Sequence, residues 1–139
     1  GDDYSAIMVK LLADRMAEAF SELLHRELRR QYWGYAPDEQ LAPEDLFAGH
    51  YTGIRPAHGY PACPDHSEKE TLFDLLDAPA YGMKLTESYA IYPTASTCGL
   101  VFAHPQSRYF AVGKITAEQL NDYALRKGML PEQIKKFLA

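Results

Sequence analysis

The run Gly53-Ile54-Arg55-Pro56-Ala57-His58-Gly59-Tyr60-Pro61-Ala62-Cys63-Pro64-Asp65-His66 holds three prolines and two glycines. Proline locks φ and has no amide hydrogen, so this run cannot be helical and interrupts any strand ladder. The chain must therefore be built as elements on either side of a stiff loop. Such loops run over the surface, where their backbone groups meet water or a ligand. Arg55 brings a guanidinium, Tyr60 an amphipathic ring, and Gly59 a point where something can approach the backbone closely. Those parts suit a small molecule with a carboxylate or phosphate and an aromatic ring. A rigid connector has the same composition, and spacing alone favours the connector.

Before the loop, Tyr4 to Trp33 reads as one helix. Ile7, Met8, Leu11, Leu12, Met16, Phe20, Leu23, Leu24 and Leu28 recur at threes and fours, with Ser5 placed to cap. The other side carries Asp14, Arg15, Glu18, Glu22, Arg26, Glu27 and Arg30, and Glu22 stands at pairing distance from Arg26. A helix of this length measures about 45 Å, so one end must pack against something beyond a small core. Gly34 stops it, and Pro43-Glu44-Asp45 opens a short helix that Gly49 closes.

After the loop, Ser67 and Glu70 fit a capping box for a helix that buries Leu72, Phe73, Leu75 and Leu76. The period then changes to two. Leu85–Tyr92, Cys98–His104 and Arg108–Gly113 read as strands joined by turns at Pro93–Ser96 and Pro105–Ser107. Thr116 caps a helix with Leu120, Tyr123 and Ala124 inward, and Pro131 starts a last one with Ile134, Phe137 and Leu138. The expected class is α+β: a long N-terminal helix, short helices, a three-stranded antiparallel meander and a helical C-terminus, forming one domain over residues 1–139.

A net charge of -5 and the lack of a basic block beyond Arg29-Arg30 and Lys135-Lys136 argue against nucleic acid as a partner. No apolar run reaches membrane-spanning length. Two cysteines in a chain of 139 residues, 47% of them hydrophobic, point to reduced thiols in a cytoplasmic setting rather than a disulfide framework.

Candidate chemistry is sparse. Cys63-Pro64-Asp65-His66 could be half of a metal site, but Cys98, His25, His50 and His104 show no paired spacing to complete it. A Cys63–His66 nucleophile lacks an oxyanion-donor pattern. His25 and His104 read as surface or cap residues. Glu18 lies between Ala17 and Ala19, where a ligand could come close, although an exposed helix carboxylate is the simpler reading. Alternation puts the rings of Tyr109 and Phe110 on opposite faces of their strand.

Four segments together carry a resemblance. Asp2-Asp3-Tyr4-Ser5-Ala6-Ile7-Met8, Tyr32-Trp33-Gly34-Tyr35-Ala36-Pro37, Arg55-Pro56-Ala57-His58-Gly59-Tyr60-Pro61-Ala62-Cys63-Pro64 and Gly82-Met83-Lys84-Leu85-Thr86-Glu87-Ser88 resemble the C-terminal portion of the activation domain of cobalamin-dependent methionine synthases. The resemblance implies a module that binds S-adenosylmethionine and offers its methyl to oxidised cobalamin, cob(II)alamin, for reductive methylation. It implies that Arg55 pairs with the ligand carboxylate, and that Ala57, Gly59 and Tyr60 line the loop side. By the same likeness Tyr109 and Phe110 come from the sheet, Glu18 faces the cationic end, and all converge on one pocket. No catalytic residue and no metal ligand is implied. The implied partners are a cobalamin-binding domain, absent from this chain, and flavodoxin or a flavoprotein reductase as electron donor. The parent activity would be 5-methyltetrahydrofolate–homocysteine methyl transfer. His58 and Phe110 depart from the family, which has a proline and often a second tyrosine there. The rival reading is a non-catalytic interaction module of a corrinoid methyltransferase that does not bind S-adenosylmethionine alone.

Overall fold

The computed structural model describes residues 2–138. They fall into two compact units, Gly1–Arg55 with Thr94–Arg108, and Pro56–Pro93 with Tyr109–Ala139.

The first unit is dominated by helix α1 (Asp3–Glu27), which continues through a π-helical turn at Leu28–Tyr32. Asp2 rather than Ser5 is the cap: its carboxylate accepts the Ser5 backbone N–H and hydroxyl. An acidic side chain at this end also complements the helix dipole. The apolar stripe lies exposed from Ile7 to Leu24, with Met16 72% and Phe20 64% accessible. What the helix buries instead is polar, namely His25 and, in the π turn, Arg29. Arg29 is thus no part of a surface basic block. A short helix α2 (Pro43–Ala48) follows, closed at Gly49 as its spacing predicts.

The chain then meets Cys98–His104 by a single antiparallel bridge. Ile54 and Phe102 exchange both backbone bonds, at 3.0 and 2.9 Å. Gly53 makes that approach possible. It sits at φ +88°, and a Cβ there would run into the Phe102 carbonyl oxygen.

In the second unit, helix α3 (Glu68–Leu75) starts without the capping box, because the Ser67 hydroxyl donates to Asp65. Phe73 is its one buried apolar side chain; Leu75 and Leu76, expected inside, are exposed. A 3-10 turn (Ala78–Tyr81) leads to the only sheet among the described residues, β1 (Lys84–Leu85) against β2 (Ile91–Tyr92). The segment expected as one strand is therefore a tiny hairpin. Thr86 explains the reversal: its backbone and hydroxyl take the amides of Tyr89 and Ala90, and Tyr89 turns at φ +59°. The three-stranded meander does not form. Among the described residues neither Cys98–His104 nor Arg108–Gly113 is a strand, and Gly113 turns at φ +75°; an alternating pattern does not name a ladder partner. Phe102 takes Ile54 in the first unit, and Val112 donates to the Pro61 carbonyl in the second.

Helix α4 (Ala117–Lys127) carries the expected Thr116 cap, a full capping box with Gln119, and stops at Gly128. The last helix, α5 (Pro131–Ile134), seats Ile134 at the centre of the small core, with no exposure. Phe137 packs edge-on against Tyr89. No helix among the described residues is long and apolar enough to cross a membrane.

Candidate functional site

Arg55 ends the first unit's part of the loop and reaches back to α1. Its Nη2 lies 2.7 Å from Glu22 Oε2, and its Nη1 lies 3.2 Å from His25 Nδ1. A guanidinium only donates, so Nδ1 must accept, and the ring proton sits on Nε2. That N–H then donates to the Tyr35 hydroxyl at 3.2 Å. His25 is 1% exposed and stacks edge-on against Tyr51. Burial first, then the charges of Arg29 and Arg55, push its pKa down to about 4, so the ring is neutral near pH 7. Arg29 lies beneath, bonded through Nε and Nη2 to Glu39 and stacked 4.5 Å over the Tyr51 ring. Two buried atoms, Glu22 Oε1 and Arg29 Nη1, have no hydrogen-bond partner among the described residues.

Glu18, Glu22 and His25 stand at i, i+4 and i+7 and so share one helix face. Glu18 is exposed, one turn before the Arg55 contact. The local expectation that Glu22 pairs with Arg26 is overturned, since Arg26 pairs with Glu27. A partner thirty-three residues away wins because it shares partial burial with Glu22, where charge attraction is less screened than at the surface. His25 is likewise no surface or cap residue. Nothing in the local pattern marks either role; the interior position of His25 depends on Tyr35, Tyr51 and Arg55, which arrive from later in the chain.

In the second unit the loop closes on itself. Gly59 N–H donates to the Cys63 carbonyl and Cys63 N–H to that of Tyr60, both at 2.8 Å. Gly59 has φ +90°, and the His66 ring occupies the space a Cβ would need. Tyr60 is left 62% exposed at the tip, and Ala57 is half-buried. His58 is buried, with Nδ1 2.9 Å from the Cys63 sulfur. Burial raises the thiol pKa and lowers that of the imidazole, so the pair is a neutral S–H donor and ring acceptor rather than a thiolate nucleophile. Pro61 and Pro64 wall a shallow cavity of about 180 Å³ with Ala111, Val112 and Gly113. The preceding Tyr109 and Phe110 are 54% and 61% exposed.

The foot of the loop is pinned by a buried carboxylate. Asp65 accepts from the Ser67 amide and hydroxyl on Oδ1, and from Tyr123 and Lys127 on Oδ2, at 2.6–2.8 Å. Burial alone would raise its pKa, but the bonds from Lys127, Tyr123 and Ser67 outweigh that and hold it below the ordinary carboxylate value.

The model of the family "Vitamin B12 dependent methionine synthase, activation domain" matches residues 1–128. The chain belongs to that family. A solved chain described as the crystal structure of the MetH reactivation domain bound to AdoHcy shares 55% identity with it, at a TM-score of 0.93. The match covers 98% of this chain and 42% of the solved one, so this activation-domain chain spans less than half of its solved relative. The residues expected at the ligand fall in both units: Arg55 and Glu18 in the first, and Ala57, Gly59, Tyr60, Tyr109 and Phe110 in the second. The two ends of the loop are held by Glu22 and His25 on Arg55 and by Lys127 on Asp65, none of which carries a local sequence signal for that contact.

Proposed function

We propose that this chain is the part of the activation domain that binds S-adenosylmethionine for reductive methylation of cob(II)alamin in B12-dependent methionine synthase. The observation that carries the reading is the 55% identity, over nearly the whole chain, to a reactivation domain whose solved form is bound to AdoHcy, the thioether left when that donor gives up its methyl. Arg55 takes the ligand carboxylate, for which a planar fork of donors is suited. Glu18 supplies negative charge toward the ammonium or sulfonium. Ala57 and Gly59 offer backbone at the loop, and the exposed rings of Tyr60, Tyr109 and Phe110 give faces for a sulfonium and an adenine.

Cobalamin, held by another domain of the parent enzyme, would supply the methyl-accepting cobalt, with flavodoxin or a flavoprotein reductase as the electron donor. The residues here bind and orient the donor, so no general acid or base is asked of them. The setting is cytoplasmic, where such reductants work, and the parent enzyme is the methyltransferase acting on homocysteine.

Calorimetric titration of AdoHcy into the full-length protein tests the reading. Arg55→Ala should weaken binding by roughly 2–5 kcal/mol, because the ligand carboxylate is left unpaired. Equal affinities would remove Arg55 from the ligand, and absence of binding by the wild type would favour a non-catalytic module.

A further inference from the structure

We propose that Glu22 and His25 are positioning residues for the ligand arginine, fixing where the Arg55 guanidinium presents its charge. The inference rests on the role given to Arg55 above. An arginine side chain has many rotamers, and ordering one at the moment of binding costs affinity. Here the ordering is done beforehand by two different acceptors on one helix face. Glu22 Oε2 holds Nη2 at 2.7 Å and His25 Nδ1 holds Nη1 at 3.2 Å. Together they fix the guanidinium's plane as well as its place.

The two acceptors are held differently. His25 is buried, its tautomer is set by the Nε2–H bond to Tyr35, and its ring is braced by Tyr51. Glu22 keeps its Oε1 buried without a hydrogen-bond partner among the described residues. Leaving an oxygen so placed costs stability, and a neutral apolar residue on this face would avoid that cost. A role in holding Arg55 accounts for its presence. The nearby Arg29 does not compete for these acceptors, because Glu39 takes its Nε and Nη2.

The test compares two ligands on the full-length protein, AdoHcy and 5′-methylthioadenosine, which shares the nucleoside and thioether but has no amino-acid carboxylate. Glu22→Gln should weaken AdoHcy about tenfold, in the range typical of residues that orient a ligating group, and leave methylthioadenosine unchanged. His25→Gln, which moves the acceptor to the Nε2 position, should behave the same way. His25→Asn, which keeps an oxygen near the Nδ1 position, should restore AdoHcy binding. If Glu22→Gln weakens both ligands equally, its role is only structural and the inference fails. If Arg55→Ala selectively weakens AdoHcy while Glu22→Gln and His25→Gln do not, the arginine acts without them and the inference again fails. An Arg55→Ala variant with unchanged AdoHcy affinity would instead sink the reading of Arg55 itself.

Discussion

Asp65→Asn should be the most damaging isosteric change in the second unit. The carboxylate is 4% exposed and receives four donors, two on each oxygen. A carboxamide of the same shape has one acceptor oxygen. If its NH2 replaces Oδ2, it faces the Lys127 ammonium and the Tyr123 hydroxyl. The hydroxyl can rotate to accept, but the ammonium cannot, and it is left to Glu68 and the Ser67 hydroxyl at 2.7 Å each. If the NH2 replaces Oδ1, the Ser67 amide loses its acceptor in a buried place. Either way a donor is stranded and a charge pair is lost. The Lys127 side chain is 19% exposed, so solvent screens part of the loss. The expected cost is about 3 kcal/mol, between that of a neutral bond and that of a fully buried ion pair. Lys127→Met should cost about 2 kcal/mol and Tyr123→Phe about 1, in that order. Urea unfolding at pH 7, followed by far-UV circular dichroism, measures all three. The deficit of Asp65→Asn has a signed pH dependence. The wild-type carboxyl is held below 3.8, so its stabilisation is complete above that value and disappears as pH falls through the lower folded value. The two proteins should therefore converge in strong acid. A loss under about 1 kcal/mol at neutral pH, or a gap that persists in acid, would refute the network as the loop's anchor.

Further outcomes follow from the same geometry. His25 has a folded pKa of about 4 against an ordinary 6.5, so its neutral burial stabilises fully above 6.5 and loses ground as pH falls toward 4. By pH 5 the wild type should have lost about 2 kcal/mol more than His25→Asn, read from paired urea titrations; parallel pH profiles would contradict this. Gly53→Ala places a methyl on the Phe102 carbonyl, and Gly59→Ala places one in the His66 ring, both at positive φ. Each should lower the thermal midpoint, with a cost of roughly 1–3 kcal/mol. Gly53→Ala should be the worse, because a side-chain ring can swing aside and a bridged backbone carbonyl cannot.

What the residues alone determine here is local. Proline and glycine between Gly53 and His66 exclude helix whatever surrounds them. Asp2 starts α1 by accepting the Ser5 amide, and Thr116 with Gln119 starts α4, because caps act within a turn of chain. Period two in Cys98–His104 and Arg108–Gly113 suggests strands, and neither segment forms one. Alternation could not choose partners, because any extended neighbour offers the same amides and carbonyls; only the tertiary structure gave Phe102 to Ile54 and Val112 to Pro61. The polar interior was equally out of reach. A histidine, an arginine or an aspartate reads as surface until distant side chains offset its desolvation, as Arg55 and Tyr35 do for His25, Glu39 for Arg29, and Lys127 with Tyr123 for Asp65. The irregular loop itself was thus legible from composition, whereas the residues that hold it in place depend on charges meeting across tens of residues.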